Sequence, residues 1–549
     1  MGSLGRSSTM VDLSHHINAK SRARHPSPLK DIIKFMGYDG MVSFAGGLPH
    51  PSLFPIEQAK FDCLSPEAPL SANRPSLEQD KRGGLSLKFG RGLSAGDLDL
   101  TQFLQYGMYS RFDDLQPVLS PSNGNVDTSP VGSGAGNRQL IALAKELTER
   151  VHSPPCEYEC LLHPGNTNAW AKVVGLLCED DDYVIVEEFT YPSAQALWIP
   201  MGIKAVPVTA DTAGIMAKNL RHLLSSWDER ERGSRRPRVL YLVSVGSNPT
   251  GITISGQRRR EIYDICVEFD IIIVEDDPYY FLQYPSYGSP IETSFTPKPV
   301  PEFLNTLVPT FLSMDTQGRV IRLDSFSKTL FPGLRLGYFV ANPVFTERLL
   351  RATEVETQDP AGLSQAFVLG LLQKWGIDGY LTWLQNLQFQ YRTRRDWLLD
   401  AFSAHFDLLS ADKSPIPEAQ GLVVCLKSSY DGKIKPVFSF VDPGAGMFVW
   451  CKFYFNDVDR FMEIEGAGKS KDPEQDFANE LWQAWATDLV LLTPGSYYHA
   501  WQGPDKMTTA ARGADQRTAH FRFSFATPTK EEIGSGVARL AKVIAKYWE

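Results

Sequence analysis

The chain has 549 residues, 43% of them hydrophobic and 22% charged, the balance of a water-soluble globular protein too long for one small core. A formal net charge of -9 opposes a polyanionic partner, so no nucleic-acid role is expected. No apolar run reaches the ~20 residues that a membrane helix needs, and no apolar segment near Met1 reads as a secretory signal.

In chain order, Arg6 stands where a myristoylated terminus wants Ser or Thr. Residues 1–25 hold Ser and Arg with one acid, Asp12. A cytoplasmic location is expected, with a mitochondrial leader as the minor alternative. Residues 41–55 are turn-rich and apolar and read as a docked N-terminal arm. Residues 66–98 and 112–133 are rich in Ser, Pro, Gly and Asp and read as surface insertions around an ordered piece at 100–106. From 138 onward helix and strand alternate. Helices are expected at 139–152 (Leu140, Leu143, Leu147 and Val151 at helical spacing), 168–178 and 255–268. Strands are expected at 183–186, 239–243, 271–274 and 320–323. Residues 285–309 form another Pro/Ser-rich insertion, and helices resume at 344–404. The tail has strands near 446–453 and 520–525 and an amphipathic helix at 529–547. This order implies an α/β fold with a mostly parallel sheet covered by helices. The expected division is 1–60 (arm and part of a small domain), 61–133 (insertion-rich), 134–405 (large domain) and 406–549 (small α+β domain).

The most informative stretch runs from Ser325 to Gly337, directly after the apolar strand at 320–323. Lys328 follows that strand among Ser325 and Ser327, and Arg335 comes seven residues later, after a Pro-Gly turn. A lysine amine can hold an aldehyde cofactor as a Schiff base. Hydroxyls and a guanidinium can grip its phosphate through charge-assisted hydrogen bonds. The cofactor this pattern points to is pyridoxal 5′-phosphate, and its site would lie in this sequence's large domain.

Four other segments follow expected strands, where ligand crevices of open α/β sheets lie. Asp276 follows 271–274 and can face a pyridinium nitrogen and keep it protonated; Tyr279 can donate to the ring hydroxyl. Asp276 also reads as an ordinary helix cap. Asn248, before Pro249 and Gly251, can bond the phenolic oxygen, and the same tetrapeptide is also a plain turn. Gly165, Asn166 and Thr167 open a helix whose free N–H groups can cradle phosphate, or which is simply capped there. Tyr191 can stack on the ring or merely pack. Together the set fits one cofactor. The seven cysteines, odd in number and scattered, include only one close pair, Cys156 and Cys160. They read as reduced thiols, and no metal site is expected.

On the segments 24–30, 43–49, 275–282, 311–315 and 319–336, the chain resembles the class I/II, fold type I aminotransferases, nearest their kynurenine/2-aminoadipate and fungal aromatic amino acid branch. The resemblance spans about 24–60 and 100–549. It implies a large domain with a seven-stranded-type, mostly parallel sheet and a smaller α+β domain. It further implies Lys328 as Schiff-base lysine and proton carrier, Asp276 as pyridine partner, and Asn248 and Tyr279 as ring-oxygen partners. Asn166, Thr167, Ser325, Ser327 and Arg335 become the phosphate cup, with Gly165 beside it, and Tyr191 the stacking ring. Tyr106 resembles the tyrosine lent by the neighbouring subunit of a homodimer with shared sites. Arg522 resembles the clamp on the substrate α-carboxylate, and Gly47, Lys30 and Asn248 complete the substrate side. Two departures stand out: Lys30 where relatives carry Arg, and Asn166-Thr167 where several have Ser-Gln.

The expected reaction is ping-pong transamination between an amino acid and 2-oxoglutarate. The donor would be aromatic (Phe, Tyr, Trp, kynurenine) or 2-aminoadipate. A lyase or decarboxylase of the same fold is the alternative. An aminotransferase-like transcription regulator would need a winged-helix module that the short arm cannot supply.

Overall fold

A computed structural model of the chain describes residues 11–25, 55–56, 58–68, 70, 84–90, 98–104, 134–290, 294–427 and 434–548. The early strands are β1 (Gln58–Leu64), β2 (Gly84–Gly90), β3 (Leu98–Asp99), β4 (Glu159–His163), β5 (Tyr183–Glu187) and β6 (Lys204–Val208). Next come β7 (Ala210–Asp211), β8 (Gly214–Ile215), β9 (Val239–Leu242), β10 (Ile272–Asp276), β11 (Val320–Ser325) and β12 (Gly337–Ala341). The last are β13 (Phe406–Ser410), β14 (Leu422–Leu426), β15 (Pro436–Phe440), β16 (Phe448–Tyr454), β17 (Thr493–Pro494) and β18 (Thr518–Ser524). Seven of them make one mixed sheet in the order β4-β12-β11-β10-β9-β5-β6, and six make a second, β13-β14-β15-β16-β18-β17.

The chain divides into two units, 1–68 with 80–179 and 309–383, and 69–79 with 180–308 and 384–549. In the first, β12 runs antiparallel to both neighbours, with Gly337 opposite His163 on one side and Ser325 on the other. That register brings the ends of β4 and β11 to one glycine. A Cβ on Gly337 would lie 2.2 Å from the Asp324 carbonyl oxygen, so only glycine fits. The helices Arg138–His152, Asn166–Leu177 and Pro343–Glu356 bury Leu140, Leu147, Trp170, Val173, Phe345 and Leu349. The first of them is capped by Asn137, whose side chain accepts from the Leu140 N–H. Near the N-terminus, Asn18 Nδ2 donates to the carbonyls of Gly175 and Cys178, at 3.0 and 2.7 Å, capping the open end of the Asn166–Leu177 helix.

In the second unit, β10, β9, β5 and β6 are parallel. Ile272, Ile273, Val274, Leu240, Val184, Ile185 and Val186 are fully buried, the near-continuous apolar reading of strands covered on both faces. The second sheet is antiparallel throughout. Its core is aromatic: Phe438 stacks on Phe453 at 4.7 Å, and Trp485 meets Phe521 edge-on at 5.0 Å. Among the described residues, no helix is long and apolar enough to cross a membrane.

Several expected elements differ. The helix expected from 168 starts at Asn166. Gly84–Gly90, inside the stretch read as insertion, pairs antiparallel with Gln58–Leu64 and buries Leu87 and Phe89. Residues 285–309 contain the short helix Val300–Asn305. Strands β4, β6 and β12 had no counterpart in the sequence reading.

Candidate active site

The residues expected to act fall into two groups, one in each unit. The first forms where β11 ends. Ser325 Oγ and Ser327 Oγ are 2.9 Å apart, and the Ser327 N–H donates to Ser325 Oγ at 3.0 Å. A one-turn 3₁₀ helix, Pro332–Leu334, then delivers Arg335 in a left-handed conformation with φ 46°. Its Nη1 donates to the Pro332 carbonyl at 2.8 Å and to Ser327 Oγ at 3.3 Å. Gly165, at φ +94°, caps the helix Asn166–Leu177 from the end of β4. A Cβ there would lie 2.3 Å from Arg335 Nη2. The first turn of that helix, two serine hydroxyls and an exposed guanidinium thus form one cradle, to which Asn166 is tied by Nδ2 donating to the Leu323 carbonyl at 2.9 Å. Thr167 is exposed on the first turn. Lys328 is half-buried, and burial, then the Arg335 charge, lower its pKa from the ordinary lysine value. The next residue, Thr329, is pinned: Tyr380 donates to its hydroxyl at 2.8 Å and Trp383 to its carbonyl at 2.7 Å.

The second group surrounds the end of β10. Asp276 is the last residue of that strand and is buried. It accepts from the Tyr241 hydroxyl at 2.8 Å. Tyr241 sits on β9 opposite Val274. Burial, then Asp276, push the pKa of Tyr241 far above the ordinary phenol value. The buried Tyr279 is raised in the same way, by burial and then Asp276, so both phenols stay protonated donors. Arg522, on β18 between the buried Phe521 and Phe523, projects to the opposite face from them. Its Nη1 donates to Asn248 Oδ1 at 2.7 Å, and its guanidinium lies over the rings of Phe448 at 4.1 Å and Tyr498 at 5.1 Å. Its buried Nε has no partner among the described residues. Burial lowers the Arg522 pKa, and Tyr498, Tyr279 and Tyr191 act against that. Tyr191 caps the helix Pro192–Trp198 within this same electrostatic neighbourhood.

The family model for aminotransferase class I and II matches residues 130–540. The chain is a class I/II aminotransferase. It is 32% identical to an aromatic amino acid aminotransferase of Schizosaccharomyces pombe, over 97% of this chain and 98% of the relative. An L-tyrosine:2-oxoglutarate aminotransferase of Serpula lacrymans is 33% identical, over 90% of this chain and 85% of that one. The crystal structure of aminotransferase Aro8 from Candida albicans superimposes with a TM-score of 0.78 and 29% identity, covering 98% of this chain and 99% of that one. The fold is thus the α/β, fold type I architecture that the motifs implied, and the substrates are amino acids and 2-oxo acids.

The aminotransferase family depends on pyridoxal 5′-phosphate, and the residues of this aminotransferase fit that group. A cradle that any Cβ at Gly165 would fill, flanked by hydroxyls and a guanidinium, suits a phosphate monoester. A buried carboxyl with a phenol beside it suits a pyridinium edge. Three residues expected to contribute, Lys30, Gly47 and Tyr106, lie outside the described residues. Sequence reasoning missed Tyr241 and the setting of Arg522, namely Phe448, Tyr498 and Thr493, whose hydroxyl accepts from Arg522 Nη2 at 3.4 Å. Tyr241 is the one polar side chain in β9, Val239-Leu240-Tyr241-Leu242, and that was the available signal.

Proposed function

We propose that this aminotransferase moves the amino group of an aromatic amino acid (phenylalanine, tyrosine, tryptophan, kynurenine, or alternatively 2-aminoadipate) to 2-oxoglutarate by a ping-pong mechanism. The observation that carries the reading is Arg522: a guanidinium held by Asn248, lying over the rings of Phe448 and Tyr498, with a buried Nε that has no partner among the described residues. A cation so fixed is suited to the planar, bidentate grip of a substrate α-carboxylate. The printed activities of the Schizosaccharomyces and Serpula relatives support the aromatic donor.

When bound, pyridoxal 5′-phosphate supplies an aldehyde that captures amines and a ring that accepts electrons from Cα. Lys328 holds it in the resting enzyme and, once freed, carries the proton from Cα; its lowered pKa leaves more of the amine neutral for that task. Asp276 keeps the pyridine nitrogen protonated, with Tyr241 fixing its carboxylate. Tyr279 and Asn248 hold the ring oxygen, and Tyr191 stacks. Ser325, Ser327, Arg335, Gly165, Asn166 and Thr167 grip the phosphate. Lys30 and Gly47 contribute to the substrate side. By resemblance to the family, the working form is a homodimer in which Tyr106 reaches the neighbouring subunit's site; the location we propose is the cytoplasm, with a mitochondrial one as the minor alternative.

The test is a half-reaction screen. Cofactor-loaded protein is mixed with single amino acids while the visible absorbance and the released 2-oxo acid are followed. Aromatic donors should discharge the absorbance fastest and 2-oxoglutarate should restore it. Faster discharge by aliphatic donors other than 2-aminoadipate, or carbon dioxide release without a 2-oxo acid, would overturn the reading.

A further inference from the structure

Glu187 ends β5 and is 4% exposed. Its Oε2 accepts from Ser247 Oγ at 2.9 Å and from the Val243 N–H at 3.3 Å. Ser247 is fully buried, donates its N–H to the Ile252 carbonyl at 2.9 Å, and is followed directly by Asn248. The start of the same loop is fixed separately: Asp277 Oδ1 accepts from the N–H groups of Ser244 and Val245, at 2.7 and 3.0 Å. Asp277 therefore anchors one end of the loop and Glu187 the point one residue before Asn248. Asn248 Oδ1 in turn accepts from Arg522 Nη1 at 2.7 Å. A path of one buried hydrogen bond, one peptide link and one part-buried hydrogen bond runs from Glu187 to the guanidinium.

We infer that Glu187 is a positioning residue for substrate-carboxylate binding: by holding Ser247 it fixes Asn248, and through Asn248 the aim of Arg522. This rests on the reading of Arg522 as the carboxylate clamp. Burying a carboxyl is costly unless donors meet it, and its two donors, Val243 and Ser247, flank the start of the loop that carries Asn248. Burial pushes the Glu187 carboxyl up to about 7 against the two donated hydrogen bonds, with Asp277 adding to the rise. Either protonation state can accept at Oε2.

The experiment uses the cofactor-loaded enzyme, phenylalanine as substrate and 3-phenylpropanoate as an unreactive carboxylate of the same skeleton. Ser247→Ala and Glu187→Leu should each raise the phenylalanine KM and the 3-phenylpropanoate inhibition constant about tenfold, the effect of one lost buried hydrogen bond. In both variants kcat should fall less than KM rises, and the visible spectrum should shift only slightly, because Asn248 also meets the ring oxygen. Glu187→Gln, which keeps an acceptor oxygen, should restore near wild-type values. The double variant should be no worse than the worse single one, because both act on one path. Unchanged KM in Ser247→Ala, which deletes a single hydroxyl and leaves the chain otherwise intact, overturns the inference even if Glu187→Leu fails to fold. Additive losses in the double variant overturn it too. Arg522→Gln separates the two levels. If it weakens 3-phenylpropanoate while Ser247→Ala does not, only the role of Glu187 falls; if it does not, the clamp reading falls as well.

Discussion

Tyr241 donates its hydroxyl to Asp276 across 2.8 Å, from the strand beside the one that Asp276 ends. The carboxylate at the heart of the proposed chemistry is therefore held by a phenol from a neighbouring strand. Tyr241→Phe deletes only that donor. With a hydrogen bond to a charged group worth ~1.5–3 kcal/mol, kcat should drop roughly ten- to a hundredfold while the cofactor stays bound. Steady-state kinetics with a titration of bound cofactor check this; unaltered kcat would show that Tyr241 does not orient Asp276.

Lys328→Ala should reduce turnover to background and remove the visible absorbance of the loaded enzyme. Asp276→Asn should keep the cofactor yet lower kcat by several orders of magnitude, since an amide cannot hold the ring nitrogen protonated. Stopped-flow spectra of both variants give the answer. Persistent turnover in the lysine variant would move the Schiff-base role elsewhere.

Gly165→Ala places a methyl 2.3 Å from Arg335 Nη2, at a φ of +94° that side chains rarely adopt. Strain of ~1–3 kcal/mol falls on the cradle and should weaken pyridoxal 5′-phosphate binding about ten- to a hundredfold. The measurement is a cofactor dissociation constant from fluorescence titration of the stripped protein. Wild-type affinity would mean that Gly165 does not border the phosphate.

Acid should unfold the protein in a window set by buried histidines. Burial, then Lys172, bring His163 down to about 3; burial, then Arg512, do the same to His499. Both stay neutral in the fold while the unfolded chain takes up protons below its ordinary value near 6.5, so stability falls as pH drops from about 6.5 toward 3. The slope is ~1.4 kcal/mol per pH unit for each ring. Glu187, lifted to about 7, works oppositely: it is protonated in the fold first, and its contribution weakens as pH rises from about 4.5 to 7. One carboxyl thus offsets one histidine in the overlap. Urea unfolding at several pH values should show a shallower acid slope in His499→Gln, and an unchanged slope would count against burial of a neutral ring.

The sequence showed the elements whose apolar runs end in chemistry. Ile272–Asp276 is buried along its whole length and Val320–Ser325 up to Asp324, and the reactive types follow at once, so pattern and motif reinforced each other. β6 was not legible because Pro207 interrupts it; the sheet tolerates that proline because β6 is the last strand in its order. β12 was hidden behind its own motif, as Gly337-Tyr338-Phe339-Val340-Ala341 reads as an apolar tail to the arginine turn. On the helix Arg138–His152 the spacing marked Leu143 and Val151, while the buried face runs through Leu140, Ile141, Ala144, Leu147 and Thr148. An apolar stripe wider than one residue leaves the exact face open. The Glu187–Ser247 and Tyr241–Asp276 bonds join residues 60 and 35 positions apart, and nothing local announces such pairs.

Thr329 carries a further consequence. Tyr380 and Trp383 fasten its hydroxyl and carbonyl, while the serine pair secures the chain on the other flank of Lys328. The lysine backbone is a fixed pivot, and its travel is confined to four methylenes. In the role proposed for it, this amine lets go of one partner and services another without any loop having to shift: it swings like a crane arm on a bolted mount.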